Sequence, residues 1–274
     1  MEKIDLHTHT NMSDGLLSPE QLVKSSLENN CKKIAITDHE IIKDYKYLEE
    51  EYGIEITNGV EFNTSVRNMH LLGYGVEDIY ALSKRIDEVR HKNEEVCYKV
   101  IDMMKKSGYD ISISKIIDYL KENRFNHEII DKRKIVKYLI HKGYATGVVD
   151  AYNNMLGYNQ EFYIPNYKIT PEETIKMVEE TGGISVWAHP YSVTTNDKEI
   201  YKIAQELKEY GLCGIEIINK KINSHNNTLI DIANSLDLTQ TVGSDFHNPE
   251  EDKLGINVDE RIYESFQKKL ILKK

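Results

Sequence analysis

Short apolar, β-branched runs recur along this chain, at Lys3–Leu6, Lys33–Thr37, Ile54–Val60, His70–Tyr74, Ile184–Ala188, Gly214–Ile218 and Thr239–Gly243. Helical patterns lie between many of them. Strands that alternate with helices favour a parallel sheet, here either closed as a barrel or left open. The helix starts are written in residue types. Ser18-Pro19-Glu20-Gln21 offers a capping hydroxyl, a proline at the first helical position and a glutamine that can reach back to the cap. Thr170-Pro171-Glu172-Glu173 repeats the device before Thr174–Thr181, and Gly182-Gly183 stops that helix.

The middle of the chain breaks the rhythm. Ile79–Lys106 reads as one long helix stopped at Gly108, and Ser114–Asn123, Asp131–Lys142 and Val148–Leu156 as shorter ones. The expected organisation is an α/β body over residues 1–107 and 163–274, interrupted by a small helical insertion over 108–162. A chain of 274 residues is long enough for one large domain carrying such an insertion.

Composition excludes several classes. A hydrophobic fraction of 40% and a charged fraction of 29% are those of an ordinary soluble protein. No apolar run approaches the ~18 to 20 residues of a membrane span. The start, MEKIDLHTHT, lacks the charged and apolar regions of a secretory signal, so a cytoplasmic protein with no membrane partner is expected. Cys31, Cys97 and Cys213 are odd in number and form no C-x-x-C pair, which makes them small buried apolar residues of a reducing compartment. A formal charge of -10 argues against a grip on duplex DNA. It does not exclude an anionic substrate, because bound metal ions invert the local field of an acidic site.

The chemistry gathers at strand ends. His7-Thr8-His9 ends the first strand, with Asp14-Gly15 in the next loop; Asp38-His39 follows the second and Glu61 closes the third. His70 begins the fourth, His189-Pro190 follows the fifth, and Asp245-Phe246-His247 follows the last. Strand ends of a parallel sheet or barrel converge on one face, where sites are built. Residues two apart in extended chain point the same way, so the imidazoles of His7 and His9 can meet one ion. Imidazole and carboxylate together suit zinc, manganese and iron, commonly as paired ions for phosphate chemistry. Such ions turn water into hydroxide near neutral pH, so no Ser or Cys nucleophile is required. The chain carries no G-x-S-x-G elbow, no Walker A loop and no G-x-G-x-x-G.

IDLHTHTNMSDG, AITDH, GVEFN, HLLGY, WAHPY and GSDFH resemble, in this order, the successive motifs of the PHP (polymerase and histidinol phosphatase) superfamily. The resemblance implies a distorted (β/α)7 TIM-like barrel with a three-metal site at the strand C-termini. It implies that His7, His9, Glu61 and Asp245 hold one ion, Asp14, His39 and His247 a second, and Glu61, His70 and His189 a third. The cofactors implied are two to three divalent ions, manganese foremost, with iron or zinc as alternatives. All nine positions carry a competent ligand, which points to an active hydrolase rather than a vestigial domain.

Within the superfamily, HKGYATGVVDAYNNMLG, FYIP and ITPEETIKMVEETGGISVWAHPY are similar to the bacterial branch of 3',5'-nucleoside bisphosphate phosphatases and 5'-to-3' exoribonucleases. That similarity implies a small phosphorylated substrate, a 3',5'-bisphosphonucleotide or a short RNA. Where that branch carries an Arg-Pro-His-like segment, this chain has Asp131-Lys132-Arg133-Lys134, so Arg133 and Lys134 are the substrate-phosphate candidates, with His225 as a third. Tyr191, beside His189, is a candidate for stacking a base. Glu216 is a candidate for orienting a ligand from behind. Two other readings share the metal motifs: a histidinol-phosphatase, against which the Gly-Tyr insertion weighs, and a non-catalytic binding module.

Overall fold

The computed structural model describes residues 2–219 and 226–273. The order is β1 (Glu2–Thr8), α1 (Pro19–Glu28), β2 (Lys33–Ile36), α2 (Lys46–Tyr52), β3 (Glu55–Asn63), β4 (His70–Tyr74) and α3 (Ile79–Lys106). Then come α4 (Ile113–Glu122), α5 (Lys132–His141), α6 (Val148–Ala151) and a π-helical turn, Tyr152–Leu156. The chain finishes with α7 (Pro171–Glu180), β5 (Ile184–Ala188), α8 (Asp197–Glu209), β6 (Gly214–Asn219), α9 (Asn226–Ser235), β7 (Thr239–Gly243), β8 (Ile256–Val258) and α10 (Glu260–Lys273). Both sequence-read capping boxes form, at Ser18 with Gln21 and at Thr170 with Glu173.

Contact clustering divides the chain into two compact units, residues up to 84 with those from 168 on, and residues 85–167. The first unit is one sheet in the order β7-β6-β5-β4-β3-β2-β1-β8. It curls until its ends meet. Asp245 N–H donates to His7 O and His9 N–H to Phe246 O, both at 2.9 Å, so the segment after β7 lies beside β1. The result is a nearly closed α/β barrel with helices around it, as the family resemblance implied; the alternation of strands and helices alone leaves an open sheet equally possible. Ile4, Leu6, Leu72, Trp187, Ile215 and Val242 are among the fully buried side chains of its core.

Two strands depart from the parallel reading. β4 runs antiparallel to both β3 and β5, with His70 opposite Asn63 and Ala188. A parallel crossover needs a dozen or more residues, and only Thr64–Met69 join β3 to β4, so the chain turns straight back. β8 pairs antiparallel with β1, in the register Glu2 to Val258 and Ile4 to Ile256. Its three residues are too short a run to stand out in the sequence.

The second unit holds most of α3, then α4, α5 and α6. Val100, Met104, Ile116, Leu120, Leu139 and Phe162 are buried within its own core. Among the described residues, no helix is long and apolar enough to cross a membrane. The three cysteine thiols are buried and unbridged.

Candidate metal centre

His7 and His9 leave β1 on the same side and are both fully buried. His7 Nε2 lies 3.4 Å from Glu61 Oε2 and 3.6 Å from Asp245 Oδ1. His9 Nε2 lies 3.1 and 3.3 Å from the same two oxygens. Asp14, in the loop after β1, places its carboxylate 3.4 Å from His247 Nε2 and 3.7 Å from His39 Nε2. Glu61 Oε1 meets His70 Nδ1 at 2.9 Å and His189 Nε2 at 3.1 Å. The structure therefore brings all nine sequence-selected side chains into one cluster.

Three sets of donor atoms within it lie close enough to share an ion: His7, His9, Glu61 and Asp245; His9, Asp14, His39 and His247; and His39, Glu61 and His70. His9 and His39 each fall in two sets, and Glu61 joins two. His70 reaches the cluster because β4 is reversed. The first residue of an antiparallel strand sits beside the last residues of its partner, so a strand start joins the strand ends.

The chemistry of the cluster fits cations. His7 Nε2, both ring nitrogens of His9 and Glu61 Oε2 are buried and have no partner in hydrogen-bond geometry. Buried polar atoms are nearly always satisfied, and four orphans on facing donors mark a place for an ion. The charges agree. Burial opposes protonation of His7, yet the Glu61, Glu216 and Asp245 carboxylates outweigh it and hold its pKa well above the ordinary value. His9 is likewise pushed up to about 10, against the pull of burial, by Asp245, Glu61 and Asp14. Burial would raise Glu61, but the imidazoles of His39, His7 and His70 hold it well below the usual carboxylate range. The field inside the cluster favours positive charge.

Ring orientation is fixed from behind. His7 Nδ1 donates to Glu216 Oε1 at 3.0 Å and His247 Nδ1 to the Asp245 carbonyl at 2.8 Å. His189 Nδ1 lies 2.8 Å from Ser192 Oγ, whose own proton is directed at the His189 or Asn68 carbonyl. In each case Nε2 is left facing the cluster. His189 and Asp245 both hold positive φ, 30° and 54°. Such strain costs roughly 1–3 kcal/mol per residue and persists where the surroundings impose it. Here Glu216 Oε2 accepts the His189 N–H at 2.7 Å, and His7 O accepts that of Asp245.

Two supporting carboxylates were not among the ligand candidates, although Asp38 stood out at a strand end. Asp38 accepts Thr10 N–H at 2.8 Å, Thr10 Oγ1 at 2.6 Å and Ser13 Oγ at 2.6 Å, tying down the loop between His9 and Asp14. Asp5 accepts Ser244 N–H and Oγ and Gly255 N–H, which locks the Asp245 segment to β1. A signal for Asp5 was present: an acid inside a strand whose neighbours are all buried must serve local donors.

The substrate candidates lie apart in the chain from these ligands, on α5 in the second unit. Arg133 is partly exposed and pairs with Asp131 at 3.3 Å. Lys134 is buried and its ammonium donates to the Ile129 carbonyl; burial draws its pKa down to about 8. His225 falls outside the described residues. Tyr191 is not a free stacking surface. Its ring is buried in the barrel core and its hydroxyl donates to Asp197 Oδ1 at 2.7 Å.

Residues 5–151 match the PHP domain family. The chain belongs to it. Several relatives align over most of its length. A 5'-3' exoribonuclease of Haemophilus influenzae is 26% identical over 90% of this chain and 91% of its own. A phosphoribosyl 1,2-cyclic phosphate 1,2-diphosphodiesterase of Eggerthella lenta is 25% identical over 89% and 93%. A 3',5'-nucleoside bisphosphate phosphatase of Chromobacterium violaceum is 24% identical over 92% and 89%. The same fold is seen in a Bifidobacterium adolescentis crystal structure provisionally described as a metal-dependent phosphoesterase, with a TM-score of 0.82, 23% identity and coverage of 97% and 96%. As a PHP domain with this donor set and these relatives, the chain is a metal-dependent hydrolase of phosphoester bonds.

Proposed function

We propose that this PHP enzyme hydrolyses phosphate from small nucleotides such as 3',5'-bisphosphonucleotides, and that short oligoribonucleotides are further substrates. The observation that carries the reading is the cluster of nine His, Asp and Glu side chains, eight of them in sets close enough to share an ion and His189 joined through Glu61, with four orphaned, buried donor atoms among them. Two to three divalent ions, manganese first, would be held by His7, His9, Asp14, His39, Glu61, His70, His189, Asp245 and His247. When bound, such ions acidify water and neutralise phosphoryl oxygens, which is what hydrolysis without a protein nucleophile requires.

The chain's own residues divide the remaining work. The imidazoles of His7 and His9 form a dry floor, fully buried. Asp14, His70, Asp245 and His247 are each partly exposed and form the rim, so a phosphoryl group approaches from their side. Glu61, within reach of His7, His9, His39, His70 and His189, is the carboxylate best placed to be shared between ions. The relatives' activities on bisphosphonucleotides and RNA support the substrate class.

The test is a phosphate-release assay with manganese-loaded protein on adenosine 3',5'-bisphosphate, a short oligoribonucleotide, histidinol phosphate and a ribose cyclic phosphate. Preferred turnover of the bisphosphate is expected; preference for either of the last two overturns the substrate assignment. Asp14→Ala and His247→Ala are expected to abolish turnover together with bound metal. Unchanged metal content in both variants would remove these residues from the site.

A further inference from the structure

Glu216 sits in the middle of β6, almost fully buried, and among the described residues no lysine or arginine forms an ion pair with it. Instead three donors converge on its carboxylate. His7 Nδ1 lies 3.0 Å from Oε1, while the His189 N–H at 2.7 Å and Asn219 Nδ2 at 3.1 Å both meet Oε2. The approach is made possible by a missing side chain. A Cβ on Gly243 would stand 2.7 Å from Glu216 Oε1 and collide with the Cβ of His7. The last strand is thus bare where the acid and the histidine meet.

A backbone N–H and an amide nitrogen can only donate, so Oε2 is an acceptor twice over. With Oε1 accepting as well, the His7 proton resides on Nδ1. With an ion bound, Nε2 would then be the lone pair, facing Glu61 and Asp245, where it is one of the orphaned atoms. The same carboxylate holds the backbone of His189, whose φ of 30° is one that side-chain-bearing residues rarely adopt.

We infer that Glu216 is a positioning residue that sets the tautomer of His7 and the backbone of His189 at once, coupling two parts of the metal centre that come from β1 and β5. This rests on the metal-centre reading above. It adds a division within the centre. Among the described residues Asp14, His39 and His247 make no contact with Glu216, so an ion they held would depend on it only through the shared His9, whereas an ion held by His7 with Glu61 and Asp245 would depend on it directly.

Glu216→Gln tests this with almost no change in volume. The amide offers one acceptor and one donor to three donors, so either His7 must move its proton to Nε2 or the His189 N–H loses its partner. Outer partners of metal-bound histidines typically contribute about 10- to 100-fold in affinity. Zinc, being diamagnetic, serves as the probe for the full-length protein, with binding measured by competition against a chromophoric chelator and ring tautomers read by 15N–1H correlation of the imidazoles. The expected result is a His7 Nδ1–H in the zinc-loaded parent and, in Glu216→Gln, one ion weakened by about 10- to 100-fold while another changes far less. Equal weakening of every ion would show a general structural role and overturn the inference. So would unchanged affinity. The parent spectrum decides even if the variant does not fold: a zinc-loaded His7 carrying its proton on Nε2 overturns the inference outright. A parent that binds no zinc or manganese at all overturns the metal-centre reading itself, which separates the two failures.

Discussion

Asp38 is buried just beyond β2 and accepts three hydrogen bonds from Thr10 and Ser13, the residues that bracket the path from His9 to Asp14. It touches none of the proposed ions in this role; it shapes the loop that delivers Asp14. In Asp38→Leu both acceptor oxygens are lost, and the buried Thr10 N–H is left unsatisfied. That costs about 1–3 kcal/mol. Urea unfolding of the metal-free variant should show a loss of this size, and manganese affinity should fall with it. Unaltered stability would mean that the loop is held by something else. At this scale the proposed ligands were legible in the sequence, because acids and histidines at successive strand ends are an unusual conjunction. Their supports were less so. Asp5 and Asp38 look like ordinary strand polarity until the donors they collect, some more than two hundred positions away, are brought to them by the fold.

Among the elements, α5 carries a charge in an unusual place. Its Lys134 is only 4% exposed, and burial draws its pKa from 10.5 to about 8. Between those two values the unfolded chain binds a proton that the folded chain has released, so stability rises with pH across the window. The interval corresponds to on the order of 3 kcal/mol, at about 1.4 kcal/mol per pH unit. Below pH 8 both states are protonated and the folded one bears the full cost of the buried ammonium. Urea unfolding at pH 7.5 and at pH 10 (below the window and near its top), in the parent and in Lys134→Met, should show the parent gaining stability relative to the variant at the higher pH. A constant difference would mean that the ammonium is solvated in the folded protein. Helices such as α5 were the easiest elements to read, since Asp131, Ser18 and Thr170 announce their starts and each does accept the backbone N–H of its first turn. Strand direction was not readable from residue types. The reversal of β4 follows from how little chain joins it to β3, and β8 exists because β1 had an edge left to pair.

The proposed ligands span the first unit from His7 on its first strand to His247 beyond β7, and that spacing makes the centre a property of the closed barrel. Sequence placed them at strand ends, but the closure itself depends on backbone bonds between the segments after β1 and after β7, which no periodicity foretells. An ion bound by His7, His9, Glu61 and Asp245 would tie β1, β3 and the end of β7 together, and binding to the folded state alone must stabilise it. At an ion concentration about 100 times the dissociation constant the gain is about 2.7 kcal/mol. For a unit of this size, a gain of that order moves the melting temperature by roughly 5–10 °C. Scanning calorimetry with manganese and then with excess chelator should show such a fall. Hydrogen exchange should place the loss of protection in residues 9–15, 189–193 and 244–248, where backbone bonds frame the cluster. In the metal-free state the carboxylates still attract protons to His7 and His9, so the barrel keeps a partial substitute for the ion and should soften at this end rather than unfold. Identical melting with and without manganese would show that this cluster binds no cation in the folded protein, and the hydrolytic mechanism proposed for it would fall.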